Sequence, residues 1–493
     1  MIAALDEGNV GGYSVAYGRD DAYFPVYITA ALAAIFFTAS WITGALYTPF
    51  NFGSGSVSST GSADMYVAKL DPTTGLATQT FTFGDTGKKD QIGTAIAVAG
   101  NGNVGVVGTT GGEIDFSGNS QAGDTSTGVP CTAGIDCLGA TAATAFYALI
   151  DGTSSGTYAT AIKSHMVNVG TGALLAAASN PARNEIAFCG KTSKLVTAWA
   201  DNAATQGVRT TVGAGGNTAF GGGNVDLIVF VVDATTGLVK WGKQYGGAGD
   251  QVCESLAMDG SGNVFMGGKY SGDLFGLANV ADTSGNTAQL FVAKLNAADG
   301  TLASAKTWTS TGISDAFGIA VDSGGNVVMG GSIASAVDFG GGHVAAFTGL
   351  TDAFVVKFDS TLTSVWAKST GDAGSDQGIN SISLDSAGNI VAGGAFKGTL
   401  PAWGLTNTDN ATVDAFLVQL HADGSLVDCA HSYGDAAGAQ AIATVSVASG
   451  ATGALANAIF MGGAFSNTIT FGSTTLSTGS GGLAYSYVAR MTE

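Results

Sequence analysis

Residues Gly318 to Gly331 read GIAVDSGGNVVMGG: two short apolar runs hinged on an Asp-Ser-Gly-Gly turn. The phrase returns as SLAMDGSGNVFMGG (Ser255–Gly268) and SISLDSAGNIVAGG (Ser381–Gly394). Weaker copies are AIAVAGNGNVGVVG (Ala95–Gly108) and the stretched TVSVASGATGALANAIFMGG (Thr444–Gly463). A unit this short cannot bury its own apolar face, so the copies must stack on one another. That one requirement narrows the possible folds more than any other feature of the chain.

Aligning the small residue that closes the second run gives seven positions: Ala39, Gly108, Gly190, Gly268, Gly331, Gly394 and Gly463. Downstream of each stands an aromatic beside a small or polar residue: Phe52, Phe116, Phe220, Phe275, Phe339, Trp403 and Phe471. A third run of D-A-F-V-V-K type follows: Met65–Leu70, Phe146–Ile150, Leu227–Val232, Leu290–Leu295, Ala353–Phe358, Ala415–Leu420 and Ser486–Met491. A fourth run follows turns such as DPTTG and ends in a Gly step, as at Phe83-Gly84, Tyr245-Gly246, Thr370-Gly371 and Tyr433-Gly434. Alternating apolar residues with turn chemistry at every join define antiparallel strands. Four strands per unit and seven units predict an all-β, seven-bladed β-propeller filling residues 1–493 as one domain. A linear β-solenoid is the runner-up, but its coils are usually far shorter. The aromatics and the small closing residues are expected to pack between blades.

The ends of the chain suggest a closing blade shared between the termini. The C-terminal segment supplies first, second and third strands. GGYSVAYG (Gly11–Gly18) matches VDCAHSYG (Val427–Gly434), a fourth strand. Met1–Asp6 matches a third strand, a slot already given to Ser486–Met491. It is expected to lie outside the blade or to pair with a neighbouring subunit, a route to self-assembly through terminal strands.

The units resemble the bacterial β-propeller repeat family often called SBBP, on the pattern G-x-D…I-A-V-D-x-x-G-N-V…G…D-F-G…D-A-F-V-A-K-L-D. The resemblance covers nearly the whole chain, is strongest in repeats four to six and weakest in the third. It implies a propeller, usually on exported or surface proteins, and brings no shared catalytic residues.

Tyr23 to Phe50 carries no charge. Length alone would allow a membrane helix, but Pro25, Gly44 and many β-branched and aromatic residues favour two buried strands, Val26–Ala31 and Ile35–Ala39. Glycine supplies 77 of 493 residues and charged residues only 11%, yet 45% of the chain is hydrophobic, which favours a folded chain over a disordered one. A net charge of −19 disfavours nucleic acid and anionic lipid as partners. The neutral, Ser/Thr/Gly-rich surface that remains suits a secreted or surface-assembled protein, although no signal peptide is visible. Five cysteines do not make a disulfide scaffold. Cys131 and Cys137 are the expected disulfide, which would imply an oxidising compartment; Cys189, Cys253 and Cys429 read as buried small hydrophobes.

Few motifs carry chemistry. The G-x-G-x-x-G at Gly100–Gly105 joins two strands rather than a strand and a helix, so it does not read as a dinucleotide site. The G-x-S-x-G at Gly152–Gly156 lies in a strand-to-strand turn, and His165, His343, His421 and His431 share no triad or metal spacing. Asp259, Asp322 and Asp385 head D-x-x-G-N hairpin turns and lack the ligand series of a calcium loop. The candidate binding residues are the acids that precede the inner strands, Asp21, Asp90, Asp250, Asp315 and Asp376, expected to circle one channel mouth and to hold a cation such as Ca²⁺ or another ligand. No other cofactor is expected. Insertions at 117–143 and 191–217 open on the same face of adjacent blades, and Trp199 in the second is the one aromatic suited to a sugar. The expected function is a non-enzymatic structural or binding propeller in an extracellular or surface assembly. Its partners would be other protein subunits or a surface glycan. A glycan lyase or hydrolase, or a lectin-like binder, using the same face is the alternative.

Overall fold

The computed structural model describes residues 2–3, 28–29, 40–46, 50–51, 56–57, 63–84, 89–111, 114–116, 137–138, 144–153, 161–167, 169–170, 172–180, 182–193, 213–214, 225–246, 249–272, 274, 289–310, 312, 314–407, 409, 411–435, 438–449, 455–478 and 484–491. Seven antiparallel sheets of four strands follow one another along the chain, the third carrying an additional short strand. The fifth blade shows the plan: Asp315–Val321 on the inside, then Val327–Ile333, Asp352–Phe358 and Ser364–Thr370 on the outside. Among the described residues the one helical element is a 3₁₀ turn at Pro401–Trp403, and no helix is long and apolar enough to cross a membrane.

In the second and the fourth to seventh blades the inner strand bulges where it meets the fifth residue of its neighbour, as between Gly93 and Ala95, Cys253 and Ser255, and Ile442 and Thr444. The bulge pushes a carbonyl onto that fifth residue. A Cβ on Gly108 would lie 2.0 Å from the Ile92 carbonyl oxygen, and one on Gly331 1.9 Å from that of Asp315. On the other side stands the third strand's aromatic: Gly108 faces Phe146, Gly331 faces Phe354 and Gly394 faces Phe416. Glycine is therefore required for space. The same pairing corrects the first repeat. Its second strand is Ser40–Leu46, in which Gly44 faces Tyr66. The closing residue is thus Gly44 and not Ala39, and Ile35–Ala39 is not that strand. The inner strand's described part is Ile28–Thr29, inside the expected Val26–Ala31.

Seven apolar clusters hold the ring, one at each blade junction. Of the expected interblade aromatics, Phe116, Phe339, Trp403 and Phe471 lie in them, and Phe52, Phe220 and Phe275 lie outside the described residues. Phe116 sits 5.1 Å from Phe83 of the first blade and 5.4 Å from Phe146 of the second. Phe339 bridges Trp308 and Phe354, and Phe471 bridges Tyr433 and Tyr487. Burying such side chains contributes on the order of 2–3 kcal/mol each, and ring contacts add to it.

Closure joins the seventh blade to the first. Ile42, Leu46 and Tyr66 pack with Phe460, Ala464 and Val488, and Arg490 donates to the Pro72 carbonyl at 2.9 Å. Ala484–Met491 takes the third-strand slot, as expected. The outer slot is occupied by Ile2–Ala3, antiparallel to it, with Ile2 opposite Ala489. The N-terminal strand therefore pairs within its own chain, correcting the expectation that it lies outside the blade or on a neighbour. Gly11–Gly18 lies outside the described residues.

A second correction concerns sulfur. Cys189, on the second strand of the third blade, and Cys253, on the inner strand of the fourth, form a disulfide across the junction. Both are fully buried, as expected, but they are bonded partners rather than packing residues. Cys131 lies outside the described residues. Cys137 is described only by its backbone, which pairs with Asp115.

Candidate functional site

Inner strands begin, and second strands end, on one face of the disc. On that face the described acids act between blades. Asp90 Oδ1 accepts the Ala63 N–H at 3.1 Å while the N–H of the next residue, Gln91, donates to the Ala63 carbonyl at 2.7 Å. Asp250 and Gln251 grip Val225 in the same way, at 3.0 and 2.7 Å. Asp376 Oδ1 accepts the Thr351 hydroxyl at 3.0 Å, and the Gln377 N–H donates to the Thr351 carbonyl at 3.1 Å. Each Asp-Gln step thus pins the entry to the third strand of the blade before it. The carboxylates recur in a ring because the junctions recur, and each is engaged locally.

Asp315 does not belong to that series. It stands two residues further on, opposite Ser332 as Val252 stands opposite Lys269 and Gly378 opposite Ala395; Ser314 holds the position of Gln91, Gln251, Gln377 and Gln440. Asp315 is buried and receives Lys269 Nζ at 2.5 Å, and the same ammonium lies 3.0 Å from Glu254. Burial and the neighbouring Glu254 push the Asp315 carboxyl well above the usual range, against the pull of Lys269. Lys269 is partly buried, which lowers its pKa, but the two carboxylates outweigh that and hold its ammonium above the usual lysine range. Asp21 and Trp199 lie outside the described residues.

Beneath the clamps lies a second buried layer that the sequence reading missed. The third strands open with Asp64, Asp226, Asp352 and Asp414, all buried. Each carboxylate lies over a glycine at the end of the outer strand: a Cβ on Gly84, Gly246, Gly371 or Gly434 would meet it at 2.4 Å or less. The Gly steps were visible in the sequence. Their pairing with an Asp about twenty residues upstream and a Gln a few residues downstream was the available signal.

The central channel narrows to a cavity of about 370 Å³ toward the far ends of the inner strands. Its wall includes Ala97, Ala178, Met258, Ile319, Leu384 and Val445, with the hydroxyls of Ser179, Ser383, Thr444 and Ser446. None of these side chains titrates near neutrality. The D-x-x-G-N turns sit on the same far side and cap themselves. Asp322 Oδ1 accepts the N–H groups of Gly324 and Asn326, both at 2.9 Å, and Oδ2 accepts Asn326 Nδ2. Among the described residues no three His, Cys, Asp or Glu side chains converge as a metal-holding set.

The ends of both insertions stand on the clamp face, after Thr110 and Thr192 and before Thr144 and Asp226. Gly213–Ala214, within the second insertion, pairs parallel to the outer strand Val239–Tyr245 and gives the third blade its fifth strand.

These features define a seven-bladed β-propeller, and solved structures that the chain resembles share that fold. The propeller domain of the Trilobed protease from Pyrococcus furiosus matches 82% of this chain and 83% of its own, at 8% identity and a TM-score of 0.36. The Dos1 propeller matches 91% and 89%, at 9% identity and 0.39. The polysaccharide lyase Uly1 matches 99% and 97%, at 11% identity and 0.39. At such identities the likeness concerns fold alone. No protein-family model matches the chain, and neither does any curated protein.

Proposed function

We propose that this chain is a non-enzymatic binding propeller of a surface or extracellular assembly, of the SBBP-type repeat class. It would hold a protein subunit or surface glycan on the face that carries both insertions. The observation that carries this reading is the division of labour on that face. The described mouth carboxylates tie blades together, which leaves the two long insertions on adjacent blades as the face's variable elements. Rigid scaffolds commonly carry recognition on such loops. The buried Cys189–Cys253 disulfide favours an oxidising compartment, and the apolar, hydroxyl-bearing channel wall suits a packed hub better than a reaction chamber.

The test replaces residues 117–143, and separately 191–217, by short Gly-Ser links. Binding to a glycan array and to immobilised copies of the chain is then compared with the parent. The parent should bind one of the two probes and at least one shortened form should lose it, with far-UV circular dichroism unchanged. Catalytic release of unsaturated or reducing sugar ends from polysaccharide by the parent would overturn the reading in favour of a glycan-active enzyme.

A further inference from the structure

The junction of the fifth and sixth blades gathers two oxygens that no donor among the described residues answers. Asp352 and Gln377 are buried, at 1% and 0% exposure. Asp352 Oδ2 accepts the N–H and the hydroxyl of Thr348, at 2.9 and 2.8 Å. Gln377 Nε2 donates to the Lys397 carbonyl at 2.9 Å, which fixes the orientation of the amide. The remaining atoms, Asp352 Oδ1 and Gln377 Oε1, are buried acceptors without a donor. Both face one point: a Cβ on Gly371 would stand 2.4 Å from the first and 2.7 Å from the second. Two acceptors facing each other in a dry junction repel, and an unanswered buried acceptor costs on the order of 1–3 kcal/mol. Something positive is required between them.

The surroundings favour a cation over a neutral donor. Asp372 lies against the same site, its Oδ1 3.5 Å from Gln377 Nε2, and Asp376 clamps the adjoining Thr351. The neighbouring junction shows what a buried carboxylate in this layer demands: there Asp315 is met by an ammonium, Lys269. The fifth blade carries Ser332 at the position of Lys269. One carboxylate oxygen and one amide oxygen are hard, oxygen-only ligands. Zinc and other softer metals prefer nitrogen or sulfur, and calcium gathers six to eight oxygens with several carboxylates.

We propose that Asp352 Oδ1 and Gln377 Oε1 bind a monovalent alkali cation of the sodium class, which supplies the positive charge that Lys269 supplies one junction earlier. A carboxylate lies over a glycine in the same way at Asp64/Gly84, Asp226/Gly246 and Asp414/Gly434, with a buried glutamine following at Gln91, Gln251 and Gln440.

The experiment melts the intact chain in sodium chloride and in choline chloride at equal ionic strength near pH 7. A bound ion stabilises only the folded state, so sodium should raise the melting temperature by about 2 °C over choline and the gain should saturate. Asp352→Asn and Gln377→Met should each reduce that gain. Equal melting in the two salts would overturn the proposal, as would a gain unchanged in both variants. A readout independent of the variants uses thallium(I), a heavy stand-in for alkali cations. In crystals of the parent chain its anomalous signal should lie between the two oxygens, and anomalous density confined to other sites would overturn the assignment.

Discussion

At the junction of the fourth and fifth blades, Gln289 opens a third strand and Asp315 the inner strand that follows it; one blade further on, Asp352 and Gln377 open the corresponding strands, Gln377 one residue earlier in register than Asp315. Two other residues change with them. Gly371, which leaves room for the Asp352 carboxylate, is Thr309 at the earlier junction. Lys269, which answers Asp315 from the fourth blade, has Ser332 as its counterpart in the fifth. Gln289 satisfies both ends of its amide on Ser310, accepting its N–H and donating to its carbonyl. The backbone is nearly the same in both places, so the difference teaches that the fold specifies a polar junction without specifying which strand carries the charge. Once a carboxylate is placed, the counter-charge and the space around it must follow.

The largest test of that dependence removes the lysine. Lys269→Met leaves Asp315 and Glu254 facing each other in a dry junction, and breaking a buried pair from one side costs about 3–5 kcal/mol. Denaturant unfolding near pH 7 should show a loss of that order. The pH dependence has a definite sign. The Asp315 pKa is raised in the folded state, so the folded chain holds that proton more tightly than the unfolded chain does. Its contribution is therefore most favourable at low pH and weakens as pH rises through the raised value. The deficit of Lys269→Met should accordingly narrow as pH is lowered toward the carboxylate range, and Asp315→Asn in the same chain should recover much of it. A deficit independent of pH would mean that lost packing of the lysine stem, and not its charge, is what the junction feels.

The next test probes space. Gly371→Ala puts a methyl 2.4 Å from Asp352 Oδ1, and crowding of this kind costs about 1–3 kcal/mol. Thr309→Ala, at the matching position where no carboxylate lies, should change stability by less than about 0.5 kcal/mol, as exposed substitutions usually do. Thermal melts of the two variants measure the contrast. Equal losses would show that the glycine serves the outer strand's backbone rather than the carboxylate.

Much of this was open to reading in the linear chain, and the failures share a cause. The phrase built on IAV and NVVMG marked the blades because strand alternation and turn residues are local. The closing glycine was misassigned only in the first unit, where an uncharged run offered several registers. Gly44 stands 64 residues before Gly108, close to the spacing of the regular repeats, and its aromatic partner Tyr66 would have chosen it. The Cys189–Cys253 bond and the Asp–Gly–Gln layer were not legible in the same way, since both join residues of different blades. Only alignment of the repeats at equal depth brings such residues together. Asp315 shows the price of a two-residue slip: grouped with Asp90, Asp250 and Asp376 it reads as a mouth acid, whereas in register with Val252 and Gly378 it is a buried ion-pair partner. The outer slot of the closing blade was assigned from a sequence match with Val427–Gly434, while the described edge pairing there is made by Ile2–Ala3.

The smallest expected effect is the sharpest test of the comparison. If the two junctions differ only in where the carboxylate stands, the earlier one should convert to the later type by exchange of three residues, Gln289→Asp, Thr309→Gly and Ser314→Gln, in a chain that also carries Asp315→Gly, the residue found at that register in the sixth blade. Lys269 would keep Glu254, 3.0 Å away in the present structure, and lose the second carboxylate it now bridges. The new Asp would lie over the glycine that replaces Thr309, and the new Gln amide would donate along its own blade as Gln377 does to Lys397. The remaining acceptors would then face each other, and on the inference above they would take up a sodium ion. The exchanged variant should melt below the parent in choline, because it has gained two unanswered acceptors, and recover part of that loss in sodium. The extra sodium increment should be about 2 °C, similar to that of one native junction. Measured as the difference between sodium and choline, this increment is insensitive to any general destabilisation by the exchange. An exchanged variant that folds with the parent's ellipticity and shows no added increment would mean that Lys269 still reaches the layer from its second strand. The position of the carboxylate would then not decide whether a junction takes an ion.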